Sequence, residues 1–414
     1  MTMLKCGLLG RKLGHSYSPQ IHARFEGYTY ELFEKEPEEL ENFLLHGDFD
    51  GLNVTMPYKK DVMQYCRYVD PLAARIGAVN TIVRKSDGLY AYNTDYSGLA
   101  TLLRRAHVGV SDRRVLVCGT GGASHTVETL LKDQHAAEVV VLGRENTENY
   151  TKLSPYYGYE LLINATPVGM YPNNGERLFD LSPFTELESV IDVIYNPWRT
   201  DFVLQAEARG LHCGGGLPML VAQAASSAAY FTGREISAEA QEQILKELLC
   251  ETVNLALVGM PGSGKSEIGR RLAEISGREF VDVDAEIVKE AGMEIPEIFE
   301  KEGEKGFRER EHAQLARVAK DKSRIIATGG GAVLREDNRR LLRCNSLVVF
   351  LGRALCELAV EGRPLSGDME TLKKMYAGRV ELYRQCADLR FNNDSDPDTI
   401  AQGIWREYNA HLSH

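Results

Sequence analysis

The amino-acid sequence predicts an α/β protein with largely parallel sheets, built as two successive modules. Three observations carry that expectation. Short apolar runs alternate with helix-period segments along the chain, and glycine-rich loops follow two of those runs directly. The length of 414 residues also exceeds one ordinary core, since domains usually hold roughly 100–200 residues.

In the first series, Leu4–Leu9, Gly51–Val54, Val115–Cys118, Val139–Leu142, Leu161–Asn164 and Val190–Val193 read as buried strands, too short for helices and rich in branched side chains. Residues before about Tyr96 form one αβ segment, and a dinucleotide-type βαβ unit starts at Arg114. That order predicts two lobes around a cleft, with the site between them. Ile236–Thr252, rich in Glu, Gln, Leu and Ala, reads as a helix closing the first module, so the boundary falls near Glu251. The second series runs through Val253–Val258, Glu279–Val283, Arg324–Ala327 and Leu347–Leu351. No Gly/Ser-rich or Pro-rich linker separates the modules.

Composition excludes several classes. An apolar share of 43% with 26% charged residues is that of a soluble globular protein. Met1–Gly10 lacks the features of a signal peptide and no run reaches membrane-spanning length, which predicts a cytosolic protein without a membrane partner. The eight cysteines are scattered with no C-x-x-C pair, against structural zinc and a disulfide framework; Cys6 and Cys118 read as packing residues. A net charge of −11 argues against nucleic acid, so anionic ligands must be held by local devices.

One such device is Gly259-Met260-Pro261-Gly262-Ser263-Gly264-Lys265-Ser266, between the strand Asn254–Val258 and the helical Glu267–Ile275. This is P-loop spacing in its strand–loop–helix context: backbone N–H groups wrap phosphates, Lys265 reaches the outer phosphate oxygens and the Ser266 hydroxyl suits Mg²⁺. Further along, Asp282 and Asp284 close the strand Glu279–Val283 and Phe307-Arg308 heads a helix. Gly329-Gly330-Gly331 ends another strand, and Arg363-Pro364-Leu365 lies in a short polar segment able to close over ATP.

The other device is Gly119-Thr120-Gly121-Gly122-Ala123-Ser124, between Val115–Cys118 and the helical Val127–Leu131, a Rossmann-type turn with Ser124 in place of the third glycine. The next strand ends at Arg144, where NAD sites usually offer an acid, and a cation there suits the 2′-phosphate of NADP(H). In the first lobe, Gly14–Pro19, Asn53–Lys59, Gly77–Thr81 and Asn93–Asp95 each set polar groups just past a strand, together a pocket for a small polyhydroxylated carboxylate. Taken singly, Lys59 beside Lys60, Arg379 and Asp282 read as solvated charges; only their joint order points to sites.

These stretches, with Asn164-Ala165-Thr166, Tyr195 and Gly216–Gln223, resemble the shikimate dehydrogenases over roughly the first 235 residues. The second half resembles the shikimate kinases through the P-loop, Phe280–Asp284, Ile298-Phe299, Gly303-Glu304, Phe307-Arg308, the triple glycine, Arg363-Pro364-Leu365, and Arg379 before Leu382-Tyr383. The resemblance implies a two-lobed dehydrogenase, with an αβ substrate lobe at 1–95 completed by helices in 217–250 and a Rossmann NADP lobe at 96–216. Residues 217–250 would be closing helices and link, and 253–414 a P-loop NTPase-type kinase domain with a parallel sheet.

The implied chemistry is NADPH-dependent reduction of 3-dehydroshikimate to shikimate, then ATP- and Mg²⁺-dependent phosphorylation of shikimate. In the dehydrogenase, Lys59 and Asp95 would be the catalytic pair, with Ser16 and Ser18 on the carboxylate and Thr55, Asn80, Asp95, Tyr195 and Gln223 completing the substrate site. Gly119, Gly121, Gly122, Ala123, Arg144 and Gly216 would hold NADP. In the kinase, Gly262, Ser263, Gly264, Lys265, Ser266 and Arg363 would hold ATP, with Lys265 and Asp284 catalytic. Asp284, Arg308, Gly330 and Arg379 would hold shikimate, and Ser266 and Asp282 the metal. Three departures accompany the resemblance: Gly143-Arg144-Glu145 replaces a common N-R-T cluster, Pro19 to Asn53 is compact, and Arg353 to Arg363 makes a short lid. Alternative readings are a dehydrogenase that also takes quinate, or one half kept as an inactive binding module. No oligomeric state is read from the sequence.

Overall fold

The structure is a computed structural model and describes residues 3–14, 16–143, 150–358 and 369–412. The chain divides into two compact units: Met1–Val168 with Arg177–Tyr195 and Gln205–Leu245, and Gly169–Glu176 with Asn196–Leu204 and Lys246–His414.

The first unit holds two sheets. One has six strands, β1 (Leu4–Gly10), β2 (Tyr28–Glu34), β3 (Gly51–Val54), β4 (Tyr68–Val69), β5 (Thr81–Lys85) and β6 (Gly88–Tyr92), in the order β2-β1-β3-β5-β6-β4. Strands β1, β2 and β3 are parallel, but β5 is antiparallel to both β3 and β6. This sheet is therefore mixed within a set of strands that is largely parallel as expected, and for a local reason. Lys85 pairs with Gly88 across Ser86-Asp87, and a two-residue connection joins only antiparallel strands. Leu9, Leu52, Val54 and Ile82 carry this sheet's core, all nearly inaccessible.

The second sheet is wholly parallel, with β7 (Arg114–Cys118), β8 (Glu138–Leu142), β9 (Leu161–Asn164), β10 (Ser189–Asp192) and β11 (His212–Gly214) in the order β11-β10-β9-β7-β8. Val115 to Cys118 are all buried, as expected for a strand covered on both faces. The helix Gly122–Asp133 leaves directly from the glycine turn.

The second unit holds a parallel five-stranded sheet of β12 (Asn254–Val258), β13 (Glu279–Asp282), β14 (Arg324–Ala327), β15 (Ser346–Gly352) and β16 (Leu389–Asn392), ordered β13-β14-β12-β15-β16. Side chains of a strand alternate between faces, and β12 shows it: Leu255 and Leu257 enter the core with Ile268 and Ile404, whereas Ala256 and Val258 enter the core with Phe307 and Tyr383. Strand β13 stops at Asp282 and the helix Val283–Ala291 begins at once. Asp284 thus lies in a helix's first turn and does not close the strand. The Asp282 carboxylate caps that helix, accepting from the amides of Asp284 (3.1 Å) and Ala285 (3.4 Å), which ends the strand where a capping aspartate dictates. All eight cysteines are free thiols, with Cys6 and Cys118 buried in strands.

Candidate active sites

In the first unit Lys59 follows β3, and its carbonyl accepts from the Val79 amide at 2.9 Å. Its Nζ donates to Asp95 Oδ2 at 2.6 Å; the side chains are 22% and 14% exposed, partly shielded yet reachable. Asp95 opens the helix Asp95–Arg105, and its other oxygen accepts from Asn80 Nδ2 at 2.8 Å. Asn80 cannot turn over, because its Oδ1 accepts from the Thr94 amide at 2.7 Å. Gln223, on the helix Leu217–Thr232, approaches Asn80 Nδ2 at 3.4 Å and Thr94 Oγ1 at 3.3 Å. Four of the expected residues, Lys59, Asn80, Asp95 and Gln223, thus form one cluster.

Of the other expected substrate residues, Ser16 and Ser18 follow β1, Thr55 follows β3 and Tyr195 follows β10. Ser16 Oγ accepts from the Ser18 amide at 3.2 Å, and the Tyr195 ring lies 5.1 Å from that of Tyr17. Burial pushes the Tyr195 phenol above its usual value, against a hydrogen bond to Ser16 that pulls it down. Thr55 stands just past β3 with its amide on the Leu9 carbonyl at 2.9 Å. Gly119 has φ 108°, and a Cβ there would come within 2.8 Å of the Ala165 carbonyl oxygen. Gly216 precedes the helix carrying Gln223. Arg144 lies outside the described residues.

In the second unit one cavity of about 630 Å³ is lined by Lys265, Ser266, Asp282, Asp284, Arg308 and Arg379 among others. Gly262 and Gly264 carry φ values of 84° and 90°, the left-handed region that the loop's curl requires. Lys265 Nζ donates to the carbonyls of Gly259 (3.0 Å) and Met260 (2.9 Å). Ser266 Oγ donates to Asp282 Oδ2 at 2.6 Å. The Ser263 side chain is buried, so this residue offers the loop's cradle its backbone.

The helix Ile295–Val318 breaks at Gly303, so Arg308 does lie near the head of a helical run. Its Nη1 donates to Glu311 Oε2 at 2.8 Å. Burial pushes the Glu311 carboxyl above its usual value, with the Asp284 charge adding to the effect against the pull of Arg308. Arg379 Nη1 donates to the Gly330 carbonyl at 3.2 Å, and the Tyr383 hydroxyl donates to the same oxygen. The triple glycine follows from crowding. A Cβ on Gly331 would run into the Arg308 guanidinium, and one on Gly329 would come within 2.7 Å of Asp284 Oδ1 and Glu311 Oε1. Arg363 lies outside the described residues, as does the expected lid segment from 359 onward.

A shikimate dehydrogenase (NADP(+)) of Clostridium perfringens strain 13 is 35% identical to this chain over 268 residues, covering 59% of this chain and 98% of that protein. The chain belongs to the shikimate dehydrogenase family. The family model for the shikimate dehydrogenase substrate binding domain matches residues 8–82, and that for shikimate kinase matches 261–409. Among solved structures, a chorismate mutase/shikimate 5-dehydrogenase fusion protein of Clostridium acetobutylicum superposes with TM-score 0.57 at 34% identity, over 60% of this chain and 98% of that one. The shikimate 5-dehydrogenase of Thermus thermophilus, solved with NADP(H) and shikimate, gives 0.52 at 30% identity, over 58% of this chain and 98% of that one. This shikimate dehydrogenase family member therefore continues into a shikimate kinase domain, and both enzyme activities are carried by one chain.

Both nucleotide sites fit their expected occupants. At Gly121 and Gly122 a Cβ would meet nothing within 4 Å, leaving open space before the N-terminus of the helix Gly122–Asp133, where a pyrophosphate is favoured. In the kinase domain the paired Ser266 and Asp282 offer Mg²⁺ the hydroxyl and carboxylate oxygens it takes beside nucleotide phosphates. Three residues of the sites escaped sequence reasoning. Glu311 stands three residues after Arg308 on one helix face, a spacing that could have disclosed it. Ser227 stands one turn after Gln223 among alanines, where a serine reads as filler. Asn393, whose Nδ2 donates to the Ser263 carbonyl at 2.8 Å, supports the P-loop from just past β16 and left no local signal.

Proposed function

We propose that the first unit reduces the C3 ketone of 3-dehydroshikimate with NADPH and that the second phosphorylates the resulting C3 hydroxyl with ATP and Mg²⁺, in a soluble, cytosolic setting. The observation that supports the reduction best is the Lys59–Asp95 pair, 2.6 Å apart and fixed through Asn80. Bound NADPH supplies the hydride. Lys59 delivers a proton to the ketone oxygen as charge develops there, and Asp95 holds the ammonium in place. Ser16, Ser18 and Tyr195 hold the substrate carboxylate end, while Thr55, Asn80 and Gln223 meet its hydroxyls. Arg144 selects NADPH through the 2′-phosphate, so Arg144→Ala raises KM for NADPH far more than for NADH.

In the kinase, Mg²⁺ held by Ser266 and Asp282 supplies charge neutralisation on the phosphates. Lys265 exchanges its two carbonyl partners for phosphate oxygens. Asp284 accepts the proton of the attacking hydroxyl, and Arg308 and Arg379 pair with the shikimate carboxylate in the same cavity. A coupled assay tests the whole reading: 3-dehydroshikimate, NADPH, ATP and Mg²⁺ yield phosphorylated shikimate, and withholding ATP stops the reaction at shikimate. Failure of either step overturns the assignment of that unit.

A further inference from the structure

Behind the Lys59–Asp95 pair lies a dry cluster of hydroxyls and amides centred on Ser227, a side chain that is 0% exposed and is not itself among the groups proposed to meet the substrate. Its hydroxyl is approached from four directions. It donates to the Gln223 carbonyl at 2.9 Å, and Asn53 Nδ2 (2.8 Å), Thr81 Oγ1 (2.8 Å) and Thr94 Oγ1 (3.1 Å) converge on the same oxygen.

A hydroxyl has one proton and two acceptor sites, so these partners must divide their roles. With its proton on Gln223, Ser227 accepts from Asn53 and from one threonine. Asn53 can only donate here, because its Oδ1 accepts from the Tyr30 hydroxyl at 2.9 Å. The threonine that does not donate to Ser227 has Asn80 Oδ1 within 3.2 Å, and this holds for Thr81 and Thr94 alike. Either arrangement leaves a threonine hydroxyl able to donate to Asn80 Oδ1, beside Gln223 Oε1 at 3.3 Å in the case of Thr94, and so supports Asn80 Nδ2 facing Asp95. We infer that Ser227 is a positioning residue for the reduction, acting through Thr81, Thr94 and Asn80 on the Asp95 carboxylate that holds Lys59.

Removing the hydroxyl leaves Asn53 Nδ2 with only its longer contacts, to the Asn80 carbonyl at 3.3 Å and Thr81 Oγ1 at 3.4 Å, and obliges one threonine hydroxyl to change acceptor in a site closed to water. The threonines then turn toward other partners, and Asn80 keeps its orientation through the Thr94 amide alone, so its hold on Asp95 loosens. The inference rests on the Lys59–Asp95 reading, and the two fail differently. Lys59→Ala with wild-type kcat removes that reading, whereas wild-type behaviour of Ser227→Ala beside an impaired Lys59→Ala removes only the role of Ser227.

The test uses the full chain, whose kinase activity on supplied shikimate controls for the amount of enzyme, while KM for NADPH reports the folding of the first unit. Ser227→Ala is expected to lower dehydrogenase kcat roughly 5- to 30-fold, with KM for NADPH and the kinase rate unchanged. A double-mutant cycle with Asp95→Asn then separates positioning from a general structural effect. If Ser227 acts through Asp95, adding Ser227→Ala to Asp95→Asn changes kcat by less than about twofold. Losses that multiply overturn the inference, as does an unaltered kcat in the single variant. If the alanine variant does not fold, Ser227→Cys, which fills the site with a somewhat larger thiol that hydrogen-bonds weakly, enters the same cycle with the same two outcomes.

Discussion

Around Lys59 the polar side chains of the first unit hold one another: Lys59 to Asp95, Asp95 to Asn80, and Asn80 to Thr94 and Gln223. Around Lys265 the second unit works differently, since two of its three cations meet backbone carbonyls, Gly259 and Met260 for Lys265 and Gly330 for Arg379, while Arg308 pairs with Glu311. The ligands explain the difference. Ketone reduction needs one proton donor at one oxygen, so the first site invests in side-chain orientation. Phosphoryl transfer needs many donors around a large anion, so the second relies on glycine backbone that approaches closely and leaves its cations exchangeable.

That contrast can be broken at several points. Lys265→Ala should abolish phosphoryl transfer and leave ketone reduction near normal, measured by separate assays on one preparation; equal loss of both would point to a shared site. Lys59→Ala should lower dehydrogenase kcat by about 10²–10⁴-fold with a smaller change in KM, as for loss of an acid–base group. The kinase rate on supplied shikimate should not change.

A third effect concerns stability. Arg199 belongs to the second unit although it precedes the kinase in sequence, and it pairs bidentately with Asp388 at 2.8 and 3.1 Å, with side chains 5% and 8% exposed. Burial alone would raise Asp388, but the Arg199 charge and hydrogen bonds hold it below the ordinary carboxylate range. Arg199→Ala strands that carboxylate and should destabilise the unit by about 3–5 kcal/mol in urea unfolding. The chain has two tryptophans, Trp198 and Trp405, both packed on this unit's core, so their emission reports it. A smaller effect sharpens the backbone half of the contrast: Gly331→Ala should displace Arg308 and raise KM for shikimate in the kinase about tenfold, with KM for ATP unchanged.

The last effect is a difference in acid response. Burial pushes His22, in the first unit, down from 6.5 to about 3, so the folded ring stays neutral where the unfolded one takes a proton. Stability from His22 is complete above 6.5 and is lost as pH falls toward 3, by at most about 1.4 kcal/mol per pH unit. Asp388 is held below its ordinary value of 3.8, so its contribution to the second unit is lost only at more acid pH. Dehydrogenase activity should therefore decline at a higher pH than tryptophan emission changes, and His22→Gln should narrow that gap.

Much of both sites was legible because their groups are local in sequence. The P-loop, the triple glycine and the Asn53–Lys59 stretch each announce themselves within eight residues. Strand β2 did not, because its sequence, Tyr28 to Glu34, buries only Tyr28 fully and so lacks an apolar run. The position of Asp284 was misjudged by one element, since a capping aspartate and a strand-ending one look alike until the amide hydrogen bonds are placed.

By itself the sequence determined the α/β alternation, the two glycine loops and the residues able to carry the chemistry, because hydrophobic period and glycine spacing act over a few residues. Only the tertiary structure decided that Ser227 meets Asn53, 174 residues earlier in the chain, or that Arg199 reaches Asp388, 189 residues later. Such pairings join groups that have no local signature. They are set where packed elements exclude water, and a buried polar group must then find its partner wherever the fold has brought one.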